Sequence, residues 1–208
     1  MFLFPLLLNR FIKNTISNSG FLLLLLFTFC FFLTACEEEY TPKPRAYFRI
    51  DFPEKKYQDL NIDCPYIFEY PVYAQISVNP NPDADQCWIN IEYPAYKGRL
   101  HISYKTVHNN ISEYIEDSRT LTYKHTIKAT DIREELIRKD SSDVYGLLYD
   151  IRGNTASSLQ FYLTDSTRHF LRGSLYFDVA PNNDSIAPVL EFIREDIYHM
   201  IGTFEWKN

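Results

Sequence analysis

The first 36 residues contain no Asp or Glu, and they end in a run that fixes where a fold can begin. Phe21 to Ala35 is an uninterrupted stretch of 15 apolar and small residues, shorter than the roughly 20 needed to cross a bilayer as a helix. Arg10 and Lys13 stand ahead of it, and Leu33-Thr34-Ala35-Cys36 closes it. A charged segment, an apolar segment and small residues before a cysteine make a secretion signal of the lipoprotein kind. Cleavage before Cys36 would expose a residue already thioether-linked to diacylglycerol and then acylated, with palmitate the expected acyl group. Residues 1–35 are thus expected to be a signal peptide, residues 36–45 a lipidated tether, and residues 46–208 a single globular domain. Phe2 to Leu8 forms a second apolar patch ahead of the charges, which leaves open a translation start downstream of Met1.

The tether reads from its residues. Glu37, Glu38 and Glu39 follow the lipidated position, then Tyr40-Thr41-Pro42-Lys43-Pro44. Two prolines in three residues keep the chain extended and block a helix. The acidic triplet has two open readings: a sorting signal to the outer surface, of the kind seen in Bacteroidetes, or a solvated spacer. All 27 acidic residues but only 19 of the 21 basic ones lie beyond Cys36, giving the mature chain a net charge of −8. Without clustered Lys and Arg, neither nucleic acid nor an anionic lipid surface is an expected partner. The membrane is reached through the lipid alone.

Cys30 falls in the signal and Cys36 takes the lipid, which leaves Cys64 and Cys87 as the thiols of the body. In an oxidising periplasm two thiols suggest one bridge, worth on the order of 3 kcal/mol for a loop of this length. Two unpaired buried cysteines are the alternative. No His lies between residues 64 and 100, so a zinc site there lacks ligands.

Periodicity gives the rest of the layout. Strands are expected at Ala46–Phe52, Tyr66–Tyr70, Cys87–Tyr93 and Leu100–Tyr104, and after a helix at Val144–Ile151, Leu159–Thr164 and His169–Val179. In Cys87–Tyr93 the odd positions are apolar, and Leu100, Ile102 and Tyr104 alternate with His101 and Ser103, so each strand turns one side to a core. Prolines 65, 71, 80, 82 and 94 sit at the ends of such runs, where a missing N–H costs least. A first helix is expected after Asn109-Asn110, with Ile111, Tyr114, Ile115, Ser118, Leu121 and His125 as its core stripe. A closing helix is expected from about Asp184-Ser185, with Pro188 in its first turn and Leu190, Ile193, Ile197, Met200, Ile201 and Phe204 on one side. Strands, a helix, more strands and a terminal helix make an α+β order, a mostly antiparallel sheet covered by helices.

Chemistry is sparse. No G-x-S-x-G, glycine-rich phosphate loop or H-E-x-x-H occurs, and the chain holds six glycines in all. Asp165, Ser166, Thr167, Arg168, His169 and Arg172 form the densest polar group. A Ser-His-Asp triad needs side chains converging from separate elements, so neighbours between two apolar strands read as a hairpin turn, with a partner-binding loop as the functional alternative. His101, His108, His125, His169 and His199 have no companion at ligand spacing. No catalytic residue, metal or cofactor is expected. Tyr47, Tyr66, Tyr70, Tyr73, Tyr93, Tyr96 and Tyr104 crowd the first half. Sheet-core tyrosines and an aromatic face for peptide or glycan are the two readings, the first preferred.

Longer runs carry a resemblance. Pro42-Lys43-Pro44-Arg45-Ala46-Tyr47-Phe48-Arg49-Ile50-Asp51-Phe52-Pro53, Cys64-Pro65-Tyr66 and Cys87-Trp88-Ile89-Asn90-Ile91 look like the GldD family of gliding motility lipoproteins, as do Gly146-Leu147-Leu148-Tyr149-Asp150-Ile151 and Phe161 to Phe177. The resemblance spans nearly all of Pro42 to Trp206, and Cys36 matches the lipobox. It implies a Bacteroidetes envelope lipoprotein, needed for gliding and the associated type IX secretion machinery, with no enzymatic activity. Its partners would be other gliding motility and type IX secretion lipoproteins or envelope proteins, and it would face the periplasm. Its work would be assembly or stabilisation, against the alternative of a module binding peptide or glycan. The close, Gly173-x-Leu175-x-Phe177 and then a helix through Asp196 to Ile201, also resembles the α-β-α sandwich of the PsbP and Mog1 type. That analogy implies a fold and no function.

Overall fold

The computed structural model describes residues 50–78, 87–179 and 183–207, together with Leu23 and Phe27. Cys36, the tether and Ala46–Arg49 lie outside the described residues, as does the signal apart from those two positions. The chain divides into two compact units, Met1–Tyr47 and Phe48–Asn208, and the second carries the sheet.

Seven strands make that sheet: β4 (Gln75–Val78), β5 (Ile89–Tyr93), β6 (Gly98–Thr106), β7 (Ala129–Lys139), β8 (Val144–Gly153), β9 (Ser157–Thr164) and β10 (His169–Phe177). Their order is β4-β5-β6-β10-β9-β8-β7, antiparallel throughout. Three further strands, β1 (Tyr57–Asp59), β2 (Tyr66–Ile67) and β3 (Glu69–Pro71), lie before the sheet, and β11 (Glu205–Trp206) ends the chain. β1 pairs with β3, and β2 with β11. The helices are α1 (Ile111–Tyr123) and α2 (Asn183–Thr203).

The two sides of the sheet are closed to different degrees. Ile89, Ile91 and Tyr93 of β5, Leu100 and Ile102 of β6, and Leu159, Phe161 and Leu163 of β9 face one side, where Ile193, Ile197, Met200, Ile201 and Phe204 of the α2 region meet them. Tyr66 and Phe68 complete this main core. The period-two and helical stripes expected from the sequence therefore meet on one surface. α1 covers the other side over a smaller cluster of Val107, Tyr149, Ile151, Tyr162 and Phe170. β9 runs between the two layers and is buried along its whole length. The result is an α+β sandwich with one thick apolar layer and one thin one.

Polar anchors hold the segment before the sheet onto α2. Asp196 is buried, and its carboxylate accepts from Lys55 Nζ at 2.7 Å, Tyr57 Oη at 3.1 Å and Tyr73 Oη at 2.8 Å. Lys55 Nζ also lies 3.6 Å from the centroid of the Phe192 ring. Tyr57 stacks on His199, whose Nε2 is 2.6 Å from Glu69 Oε2. Burial, followed by the Asp196 charge and hydrogen bond, pushes the Tyr57 phenol up to about 12. Cys64 and Cys87 are bonded, with Cα atoms 5.6 Å apart, which ties the loop before β2 to the residues entering β5.

Several expectations need correction. Ile50, Asp51 and Phe52 are not strand; Phe52 instead stacks on Phe192 with ring centroids 4.4 Å apart, and Pro53 beside it has no N–H to give a ladder. Tyr66–Tyr70 is not one strand but β2 and β3, which break at Phe68 and pair with different partners. β1, β4, β7 and β11 are additional. α2 begins at Asn183, so Pro188 lies past the first turn, where its ring costs one helical hydrogen bond. α1 seats itself on Ser118 and Thr122, its two buried residues, while Leu121 is 40% exposed and His125 falls in the 3-10 turn Lys124–Ile127 that follows. Thr122 Oγ1 lies 2.9 Å from Ser118 O and 3.2 Å from Gln160 Oε1. A helix resting on small polar side chains leaves its larger apolar neighbour at the margin.

Candidate functional site

The polar group around residue 165 folds as a turn. Asp165 Oδ1 accepts from the backbone N–H groups of Thr167, Arg168 and His169 at 2.8–3.0 Å. Ser166 adopts a left-handed conformation, φ 69°, and its N–H donates to Thr164 Oγ1 at 2.9 Å. Burial alone would raise the Asp165 carboxyl, but the three N–H bonds overcome it and hold the group below the usual carboxylate range. His169 Nδ1 is 2.7 Å from Tyr104 Oη, and its ring stacks on Trp206. Burial lowers its pKa.

Arg172 does not belong to this turn. Two-residue alternation along β10 places His169 and Leu171 on the α2 side and Phe170 and Arg172 on the α1 side. The turn instead borders a second hairpin, at Ser141–Asp143, and the end of the chain at Glu205 and Trp206. These line a polar depression of about 480 Å³. Thr167 and Arg168 are exposed there.

The tyrosines of the first half belong to the core. Tyr66 and Tyr93 are fully buried, and Tyr70, Tyr73, Tyr96 and Tyr104 pack against the main cluster; Tyr47 lies outside the described residues. Burial raises the Tyr66 and Tyr93 phenols.

A different concavity opens on the thinly covered side. Between α1 and the facing side of β6 and β10, beside Trp88 at the entry to β5, lies a cavity of about 490 Å³, with Trp88, Tyr114, Leu121, Phe170 and Tyr176 among its apolar lining and His101, Lys105, Asp117, Arg172 and Ser174 among its polar lining. Trp88 Nε1 donates to Tyr104 O at 2.7 Å, and His101 Nδ1 lies 2.6 Å from Asn90 Oδ1. Burial and then the Arg99 charge lower the His101 pKa. The sequence signal for this surface was the alternation itself: Trp88, His101, Ser103 and Lys105 occupy the positions left over once the core side is assigned. Among the described residues no three His, Cys, Asp or Glu side chains gather as a metal site. Nor is any described helix long and apolar enough to cross a membrane.

No curated protein matches the chain. Among solved structures it is similar to the solution structure of cyanobacterial PsbP (CyanoP) from Synechocystis sp. PCC 6803, at 11% identity and a TM-score of 0.44, covering 80% of this chain and 99% of that one. At that score nothing passes from one protein to the other. The model of the family described as gliding motility lipoprotein GldD matches residues 37–206, which takes in every strand and helix of the second unit. The chain belongs to the GldD family of gliding motility lipoproteins.

Proposed function

We propose that this envelope lipoprotein is a non-catalytic component that supports the assembly or stability of the gliding apparatus and of the type IX secretion machinery associated with it. It is held to the membrane through Cys36, faces the periplasm, and works against other gliding and secretion lipoproteins or envelope proteins.

The observation that carries this reading is the open edge of the sheet. β7 is eleven residues long and pairs only with β8 among the described residues. An edge strand presents unpaired N–H and C=O groups to which another chain can add a strand. At the opposite edge β4 has four residues, too few for comparable pairing. Leu136 on β7 is 73% exposed and Ile127, just before it, 91% exposed, so the open edge has apolar side chains beside it. Charges at Asp131, Arg133, Glu134, Glu135 and Arg138 restrain indiscriminate pairing and favour a chosen partner.

The test is a crosslinked pull-down from cells, comparing the wild type with Cys36→Ala and with Leu136→Asp/Ile127→Asp, each tagged at the C-terminus. Gliding or secretion lipoproteins are expected with the wild type, absent with Cys36→Ala, and depleted with the β7 variant at unchanged protein level. Capture of no envelope protein by the wild type would overturn the assembly role. Full capture by the β7 variant would remove the edge strand from it.

A further inference from the structure

Arg172 is a half-buried cation on the thinly covered side, and its charge is unmatched among the described residues. Its Nη2 donates to Gln160 Oε1 at 2.5 Å, a neutral acceptor, and no described carboxylate pairs with it. Burial lowers its pKa, the nearby Tyr176 only partly offsetting this, yet a guanidinium stays protonated at any physiological pH. Ser174, two residues on and so on the same side, is 2% exposed and lines the same cavity, and its hydroxyl has no hydrogen-bond partner. Gln160 is 1% exposed, and because its Oε1 already receives Arg172 and Thr122, its amide Nε2 is left without an acceptor. Arg172 and Ser174 thus bring spare donors to the cavity, the guanidinium N–H groups and the serine O–H. A buried donor left unpaired is costly, and an anion seated on these two residues would relieve it.

The remaining lining narrows the class. Lys105 and Asp117 offset each other, so with Arg172 the cavity carries one net positive charge within an acidic chain. Trp88, Tyr114, Phe170 and Tyr176 offer apolar area beyond the charge. One planar cation with spare N–H groups fits a carboxylate in bidentate fashion, and a doubly charged phosphate would go half-neutralised between aromatic walls. The volume of about 490 Å³ suits a small molecule or a few residues of peptide.

We propose that the cavity under α1 binds an amphipathic monocarboxylate, its carboxylate on Arg172 and Ser174 and its apolar body against Trp88, Tyr114 and Phe170. The site is separate from the β7 edge and does not depend on the assembly role. The same chemistry occurs in an aliphatic acid and in the apolar carboxyl terminus of a peptide, so both are tested. The mature chain from residue 36, carrying Cys36→Ala so that no attached acyl chain competes, is titrated by calorimetry and Trp fluorescence. The probes are decanoate and an acetylated tetrapeptide ending in leucine, against decanol and the amidated peptide. At least one carboxylate binds, and its neutral counterpart binds roughly tenfold weaker or less, as loss of a charge-assisted hydrogen bond requires. Arg172→Gln brings a similar loss. Leu121→Trp, at the exposed margin where the fold is not at stake, blocks entry with the melting temperature unchanged. Exposed Lys56→Gln, remote from the cavity lining, changes nothing. Failure of both carboxylates to bind at millimolar concentration, equal binding of a neutral counterpart, or unaltered binding in a folded Arg172→Gln or Leu121→Trp protein overturns the proposal.

Discussion

Removing the Asp196 carboxylate is expected to cost more stability than any other single polar change in the domain. The side chain is wholly buried, and Lys55 Nζ sits 2.7 Å away with 24% of its own side chain exposed. At an effective dielectric of about 20, opposite charges at that distance attract by roughly 6 kcal/mol, and desolvation of both groups cancels much of it. The cost of deletion comes from what remains. In Asp196→Ala the Lys55 ammonium keeps Phe192 O as an acceptor and the exposed Glu195 at 3.6 Å but loses its buried counter-charge, and the Tyr57 and Tyr73 hydroxyls lose their acceptor. Breaking a buried pair in this way costs about 3–5 kcal/mol, which for a domain of this size lowers the melting temperature by roughly 10 °C. Lys55→Met should cost less, because the two phenolic O–H groups continue to solvate the carboxylate. The double variant Asp196→Leu/Lys55→Met should recover to within about 1–2 kcal/mol of wild type, since an apolar pair of similar volume replaces a buried ion pair at little cost. Urea denaturation of the wild type, Asp196→Leu, Lys55→Met and the double variant closes the cycle, with Asp196→Ala measured beside it. A loss below about 1 kcal/mol in Asp196→Ala, or a double variant as unstable as the summed singles, would refute the view that α2 is pinned here by charge.

Other outcomes follow from the same geometry. Folded-state tyrosine pKa values are raised, Tyr57 to about 12 by burial and then by Asp196, and Tyr73 further, also by burial first. The stabilisation is therefore whole below pH 10 and lost as pH rises from 10 toward 12, and urea midpoints over that window should fall less steeply in Asp196→Ala. Asp165 has the opposite sign: its lowered pKa contributes stability above the ordinary carboxylate range, lost as pH falls below about 4, so the deficit of Asp165→Ala at neutral pH should shrink in acid. Cys64→Ser/Cys87→Ser should lose about 2–4 kcal/mol, and adding reductant to that variant should change nothing further. A Cβ at Gly173 would come within 2.2 Å of the Phe161 ring across the strand pair; Gly173→Val should destabilise by more than about 2 kcal/mol, with partial rescue by Phe161→Leu.

Much of the fold was legible because period two is hard to mistake where one side is buried. Cys87–Tyr93 and Leu100–Tyr104 declared their inner faces, and the α2 stripe from Ile193 to Phe204 declared its own. β7 was not legible. Ile132, Leu136 and Ile137 recur at a spacing closer to a helix than a strand, and Arg133-Glu134-Glu135 and Arg138-Lys139 are good helix formers. Ten residues of pairing with β8 decide its state instead, which no local pattern shows. β4 and β11 were too short to read. The turn at Asp165–His169 was legible from its residues, but Arg172, grouped with it in the sequence, lies on the other side of the sheet, where the alternation along β10 puts it. The cavity was not. It lies beneath α1, whose buried Thr122 meets Gln160 on β9, a contact across almost forty residues that no local pattern shows.

The unequal closure of the sheet sets how this domain can move. Loosening α2 means breaking the Asp196 cluster and exposing the main core, and the disulfide restrains the segment packed on it. Loosening α1 means lifting one thirteen-residue helix with two buried side chains off a five-residue cluster. Opening free energies within one fold range from near zero to the global value, and the least supported element opens first. Amide protons of α1 are therefore expected to exchange well ahead of those in α2 and β9. Opening of α1 would uncover the cavity proposed above to bind a carboxylate while the main core stays closed.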